Sequence, residues 1–208
     1  MITERDKDIL RWIEEHKSIT INQCSKLFYT GNKFAYDQAR KRLRYLNKEN
    51  LIKRYRQDPK SETIYFTEKR LKIHGLKLMD VIAALKEFNV YDIKKERKIG
   101  INSSTSYIVD STCVLKYSNA LIPVIVEIDY THYTNSDKIE NLITYVERKN
   151  KIGCIFIIVK PTTETITVEN IGAYSRLVMV NWEFHKKNEL SRSLRSLLEE
   201  DKLGLMQD

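Results

Sequence analysis

The sequence predicts an α+β protein in two parts, a small helix-rich domain over residues 1–74 and an α/β domain with a mixed sheet over 75–208. Three observations predict it. Apolar residues recur at helical spacing up to about residue 48. From residue 91 onward the pattern shifts to short apolar strands interleaved with amphipathic helices. The charge is divided unevenly: residues 1–75 hold 18 Lys and Arg against 10 Asp and Glu, while the remainder holds 18 of each, so one third of the chain carries the whole net charge of +8. A basic excess confined to one segment is the footprint of a surface that meets phosphates.

The first helix is signalled by Thr3 followed by Asp6, with Ile9, Trp12 and Ile13 on one face and an end near His16, where a charged histidine suits the dipole. Ser18-Ile19-Thr20 breaks the pattern, and Thr20 caps a short helix from Ile21 to Phe28. Thr30-Gly31-Asn32 is a turn. A third helix is predicted from about Lys33 to Lys48, with Ala35, Ala39, Leu43 and Leu46 on its packed stripe. The opposite face presents Lys33, Tyr36, Asp37, Arg40, Lys41, Arg44 and Lys48.

A short helix, a tight turn and a basic amphipathic helix make a helix-turn-helix, whose second helix enters the major groove of double-stranded DNA. Helix position makes Lys33, Tyr36, Asp37 and Arg40 the base-edge candidates, and Lys41 and Arg44 phosphate contacts. Two strands follow, over 51–56 and 63–67, joined by the polar turn Asp58-Pro59-Lys60-Ser61. They complete a winged helix whose wing offers Arg54, Arg56 and Lys60 to the DNA backbone.

In the second part the pattern predicts a helix over 76–88, with Leu78, Val81, Ile82 and Leu85 inward, and then strands over 91–99, 107–110, 112–117 and 123–130. A helix over 138–149 carries Ile139, Leu142, Ile143 and Val146 inward. Residues 153–160 form a continuous apolar run, which reads as a strand buried on both faces. A strand over 177–182 and a helix over 190–198 close the chain.

Three acids stand out. Asp110 ends a predicted strand, and Glu127 and Asp129 alternate with Val126 and Ile128 on the next, so both point to one face. Such a trio offers the oxygen ligands that Mg2+ takes. The order resembles the restriction-endonuclease-like nucleases, whose pattern is an Asp followed on the next strand by Asp/Glu-x-Lys. That resemblance implies Asp110 and Glu127 as metal ligands. Asp129 stands where the family has its lysine, and Lys138 on the following helix is the candidate substitute. No cofactor is expected otherwise.

Other classes find little support. No run of about 18 apolar residues spans a membrane. The charged start MITERDKDIL lacks the apolar core of a signal peptide, so a cytoplasmic location is expected. Cys24, Cys113 and Cys154 each sit in an apolar stretch and read as reduced core residues. His74, His132 and His185 show no metal spacing, and the chain has no phosphate-cradling glycine loop.

Taken over most of its length, the chain resembles the replication-relaxation family of plasmids and mobile elements. The resemblance rests on Thr3-Glu4-Arg5-Asp6 with Ile9-Leu10, on Arg40-Lys41-Arg42-Leu43-Arg44-Tyr45-Leu46, on Val126-Glu127-Ile128-Asp129, and on Lys138 with Tyr145. It implies an accessory protein acting in replication, relaxation or transcriptional control at element DNA. The expected function is therefore a sequence-specific DNA-binding regulator or accessory factor, working as a homodimer, with the α/β domain serving dimerisation or a protein partner. The helix over 190–198 is one candidate surface. A metal-dependent nuclease or nickase using Asp110 and Glu127 is the alternative, and an antitoxin repressing its own operon is a third. The absent lysine weighs against the nuclease.

Overall fold

In a computed structural model the described residues are 1–130, 132–162, 166–169 and 171–199. The tail of the predicted second domain, 200–208, lies outside them. The chain divides into two compact units, Met1–Ala83 and Ala84–Asp208.

The first unit runs α1 (Glu4–His16), β1 (Ser18–Thr20), α2 (Ile21–Phe28), α3 (Ala35–Lys48), β2 (Lys53–Tyr55) and β3 (Ile64–Phe66), and takes in most of α4 (Ile73–Leu85). Both early helices start at capping boxes. Thr3 Oγ1 accepts the Asp6 amide at 3.3 Å while the Asp6 carboxylate accepts the Thr3 amide at 2.5 Å. Thr20 and Gln23 repeat the arrangement at 3.2 and 3.0 Å. Each box satisfies N–H groups that a helix start leaves orphaned. Lys17, in the left-handed region at φ 72°, ends α1 and turns the chain into β1.

β1 pairs antiparallel with β3, and β3 with β2, giving the sheet order β1-β3-β2. Residues 18–20, read from sequence only as a break, are thus a strand. They are too short for any alternation to show. Ile9, Ile13, Ile19, Cys24, Ala39, Leu43, Leu46 and Tyr65 form the core between helices and sheet. Each fully buried Ile or Leu contributes on the order of 2 kcal/mol.

The unit boundary falls nine residues beyond the predicted one because α4 is bound to α2. Gln23 Nε2 donates to Leu76 O at 3.1 Å and to Asp80 Oδ1 at 2.8 Å. α4 also starts earlier than expected and is buried at every position from Leu78 to Leu85, so it is not the one-sided helix its pattern suggested. A 3₁₀ turn, Lys86–Phe88, follows it.

The second unit is a five-stranded sheet in the order β4-β5-β6-β7-β8, formed by β4 (Val90–Gly100), β5 (Ser106–Tyr117), β6 (Ala120–Ile128), β7 (Ile155–Lys160) and β8 (Arg176–Asn181). The first three strands are antiparallel and the last three parallel, which is the expected mixed sheet. α5 (Ser136–Asn150) is the crossover between parallel β6 and β7. Its Ile139, Leu142, Ile143 and Val146 pack on Val109, Ile125, Phe156 and Ile158. All six residues of β7 are buried, as their continuous apolar character implies. α6 (Phe184–Lys187), absent from the sequence reading, and α7 (Glu189–Glu199) close the described chain.

Residues 106–117, expected as two short strands, form one. The polar Asp110-Ser111-Thr112 looks like an interruption, but Ser111 is buried and its hydroxyl donates to Lys94 O at 3.0 Å. Asp110 therefore lies inside β5, not at a strand end. The three cysteines are free and buried, in keeping with the sequence reading. No helix among the described residues is long and apolar enough to cross a membrane.

Candidate functional sites

The basic surface of the first unit is set by the phase of α3. Tyr36, Asp37, Lys41, Arg44 and Lys48 are exposed, and Arg40 is half-buried. α3 begins at Ala35, two residues later than predicted, so Lys33 lies in the preceding turn. There Asn32 Oδ1 accepts the Phe34 amide at 2.8 Å, after Gly31 at φ 79°. Two base-edge candidates are partners of each other: Arg40 Nη2 is 2.8 Å from Asp37 Oδ1.

Arg42 belongs to the same cationic run but faces inward. Its guanidinium binds the carboxylate of Asp6, stacks 4.5 Å from the Tyr45 ring centroid, and donates to Met1 O at 2.9 Å. Burial alone would raise the Asp6 carboxyl. The hydrogen bonds from Arg42 and Thr3 outweigh it and hold the pKa at about 2. Arg42 thus ties the start of α1 to the middle of α3. Sequence reasoning missed this because nothing in Arg-Lys-Arg-Leu-Arg singles out one cation; only the helical phase does.

The β2–β3 hairpin places Arg54 opposite Tyr65. Arg44, Arg54 and Arg56 line a cavity of about 300 Å³ with Ile21, Thr63 and Tyr65, and among the described residues no carboxylate lines it. Burial pushes the Tyr65 hydroxyl pKa up, against the nearby positive charges of Arg44 and Arg54. Arg56 is also held by its own turn, donating to Ser61 O at 2.7 Å and to Pro59 O. Lys60 is exposed at the hairpin tip. Three guanidinium groups around one cavity repel one another unless an anion lies among them, and planar, multidentate guanidinium suits phosphate oxygens.

In the second unit the acids are close in the sheet but differently engaged. The β5–β6 ladder ends at Ser111↔Val126. Just beyond, Asp110 Oδ2 accepts the Ile128 amide at 2.7 Å. Glu127 is buried, and Lys138 Nζ sits 2.6 Å from its Oε1 and 2.9 Å from Ile108 O. Burial raises the Glu127 pKa to about 7, against the hydrogen bond and charge of Lys138 and with the repulsion of Asp110 and Asp129. A carboxyl that titrates near neutrality beside a cation is suited to proton transfer.

Asp129 is turned elsewhere. Its Oδ1 accepts the Thr134 amide at 3.0 Å and hydroxyl at 2.8 Å, anchoring the segment that leads to α5. Tyr130 and Trp182 stack beside it, ring centroids 5.1 Å apart. Among the described residues no group of three or more His, Cys, Asp or Glu is placed to hold a metal ion. Of the three acids singled out from sequence, Asp110 accepts a backbone amide, Glu127 pairs with Lys138 and Asp129 accepts from Thr134. His16 is buried against Trp12 with ring centroids 3.9 Å apart, so it serves packing as well as the end of α1.

No protein-family model matches the chain, and no curated protein matches it. Among solved structures it is similar to the protein VC1899 from Vibrio cholerae, at 11% identity and a TM-score of 0.41 over 91% of this chain. The chain spans about half, 48%, of that protein's length.

Proposed function

We propose that the first unit is a winged-helix domain that binds double-stranded DNA, and that the protein acts as a sequence-specific regulator or accessory factor. The observation that carries this reading is the arginine-lined cavity between α3 and the hairpin, continuous in residue content with the exposed face of α3. Arg44, shared by both, links them. In this reading α3 enters the major groove, with Tyr36, Asp37 and Arg40 toward base edges. Lys41, Arg44, Lys48, Arg54, Arg56 and Lys60 meet phosphates. Action at plasmid or mobile-element DNA, implied by the family resemblance, is part of the same proposal, as is a homodimer on a twofold site.

The test is fluorescence anisotropy with a labelled duplex across a salt series. Binding should weaken steeply with salt, and Arg54→Ala should reduce the log–log slope by about one. Affinity that ignores salt, or no duplex binding at low salt, refutes the reading.

A second reading, a restriction-endonuclease-like nuclease in the second unit, is favoured by one observation. Lys138 supplies a cation at Glu127, where the sequence pattern has Asp129 in the place of the usual lysine. Incubation of the protein with supercoiled plasmid, with and without Mg2+ or Mn2+, decides it. Metal-dependent nicking that disappears in Glu127→Ala supports this reading, and intact plasmid refutes it.

A further inference from the structure

The second unit holds a cavity distinct from the Glu127–Lys138 pair. It lies against the far end of α5, where Tyr145, Val146 and Lys149 line it, with Lys149 eleven residues and about three helical turns from Lys138. Its volume is about 280 Å³, close to the lower bound of ~300 Å³ for small-molecule sites. Its apolar lining includes Val114, Ile125 and Val146, with Tyr145 beside them. The rim is cationic: Lys94, Arg97, Lys98 and Lys149 line it. Among the described residues the one carboxylate there, Asp92, is 2.8 Å from Lys94 Nζ.

The backbone of β4 is irregular beside this rim. Lys94 and Arg97 are three residues apart and would face opposite sides of a regular strand. Both line the cavity. Between them Glu96 takes φ 48°, and Asp92 takes φ 52° where the β4–β5 register shifts. The register shift at Asp92 marks a bulge, whereas the pairing with β5 runs unbroken from Lys94 to Gly100. Lys94, Arg97 and Lys98 are exposed on this edge strand, and all three line the cavity. Lys149, in the last turn of α5, offsets the partial negative charge of that helix end, so the surplus that attracts an anion comes from β4.

We propose that this cavity binds a free nucleotide, with its phosphate on Lys94 and Arg97 and its base against Val114, Ile125 and Tyr145. An apolar lining beside a cation cluster matches a ligand with a planar apolar part and a phosphate a short distance away. Inorganic phosphate satisfies the rim alone and a nucleoside the apolar lining alone. The proposal is independent of DNA binding by the first unit.

The test uses the full chain labelled with 15N. AMP, CMP, GMP and UMP are titrated in turn, followed by adenosine, inorganic phosphate and a five-residue single-stranded oligonucleotide. The expected result is saturable 1:1 binding of at least one mononucleotide, with amide shifts at Gly100, Thr112 and Lys149. Adenosine and phosphate should bind at least tenfold more weakly. The double variant Lys94→Glu/Arg97→Glu should weaken the mononucleotide tenfold or more. Lys116→Glu, an equally exposed charge reversal on β5 outside the cavity, should leave it unchanged. Four results overturn the proposal: no mononucleotide binding tighter than phosphate; shifts confined to residues 1–83; equal weakening by Lys116→Glu; or an oligonucleotide that binds tenfold tighter than any mononucleotide.

Discussion

Asp6→Asn tests whether the orientation of α3 depends on a single ion pair. Asp6 is fully buried, receives Arg42, and closes the capping box of α1. Its pKa falls from 3.8 to about 2 in the folded state, which at ~1.36 kcal/mol per unit is a stabilisation of roughly 2 kcal/mol. Loss of the ideal cap brings the expected cost to about 2–3 kcal/mol at pH 7. The sign with pH follows from the lowered value. The contribution is complete above pH 4 and fades as pH falls through about 2, so variant and wild type should converge in acid. The two tryptophans, Trp12 and Trp182, fall one to each unit. Trp12 fluorescence in a Trp182→Phe background therefore follows urea unfolding of the first unit alone. An equal loss at pH 7 and pH 2.5, or none at pH 7, refutes the reasoning. A paired comparison separates fold from function: Arg42→Gln should lower stability and leave the salt slope of DNA binding unchanged, whereas Arg54→Ala should do the reverse.

Other perturbations have equally definite outcomes. Because burial raises the Glu127 pKa to about 7, folding of the second unit favours its neutral form. Stability should fall by roughly 3 kcal/mol as pH rises from about 4.5 to 7, and Glu127→Gln should flatten that slope in denaturant titrations followed by Trp182. Gly153→Ala should destabilise the second unit by roughly 3 kcal/mol in urea unfolding, since a Cβ there would lie 2.0 Å from Tyr174 O, a backbone atom that cannot swing aside. Burial raises the thiol pKa at Cys24, and to about 12 at Cys113 and about 11 at Cys154. The native protein should therefore leave Ellman's reagent unreacted at pH 8 and release three thiols in denaturant.

The starts of α1 and α2 were legible because their signals are local. Thr3 with Asp6 and the cap Thr20 are read within a single turn, and capping boxes form at both, the second with Gln23. Signals that depend on distant partners were not legible. Arg42 meets Asp6 across 36 positions, and only the relative phase of two helices brings them together. The polar run in β5 reads as a break because the acceptor for Ser111, Lys94 O, lies on another strand. The acids illustrate the same limit. Alternation placed Glu127 and Asp129 on one face, but Asp129 is drawn to Thr134 beyond the strand end, while Lys138 reaches Glu127 from the first turn of α5. A pattern gives the face a side chain leaves from, and the competition among nearby donors decides what it binds.

The same distinction governs the charges. Residues 76–208 sum to zero, which argues against an anion-binding role only if charge is spread evenly. It is not: Lys94, Arg97 and Lys98 of β4 line one cavity, while acids such as Glu127 and Glu147 are drawn into the unit to meet Lys138 and Ser175. A binding surface responds to the local imbalance within about one Debye length, ~8–10 Å at moderate salt, and not to the sum over a domain. The two basic sites therefore differ in kind. In the first unit, cations distributed over an exposed helix and hairpin suit a polymer whose phosphates recur at fixed spacing. In the second, cations around a small apolar hollow suit one phosphate attached to one ring. Salt should separate them: a binding event that releases several counterions weakens steeply, and one that engages a single phosphate weakens little.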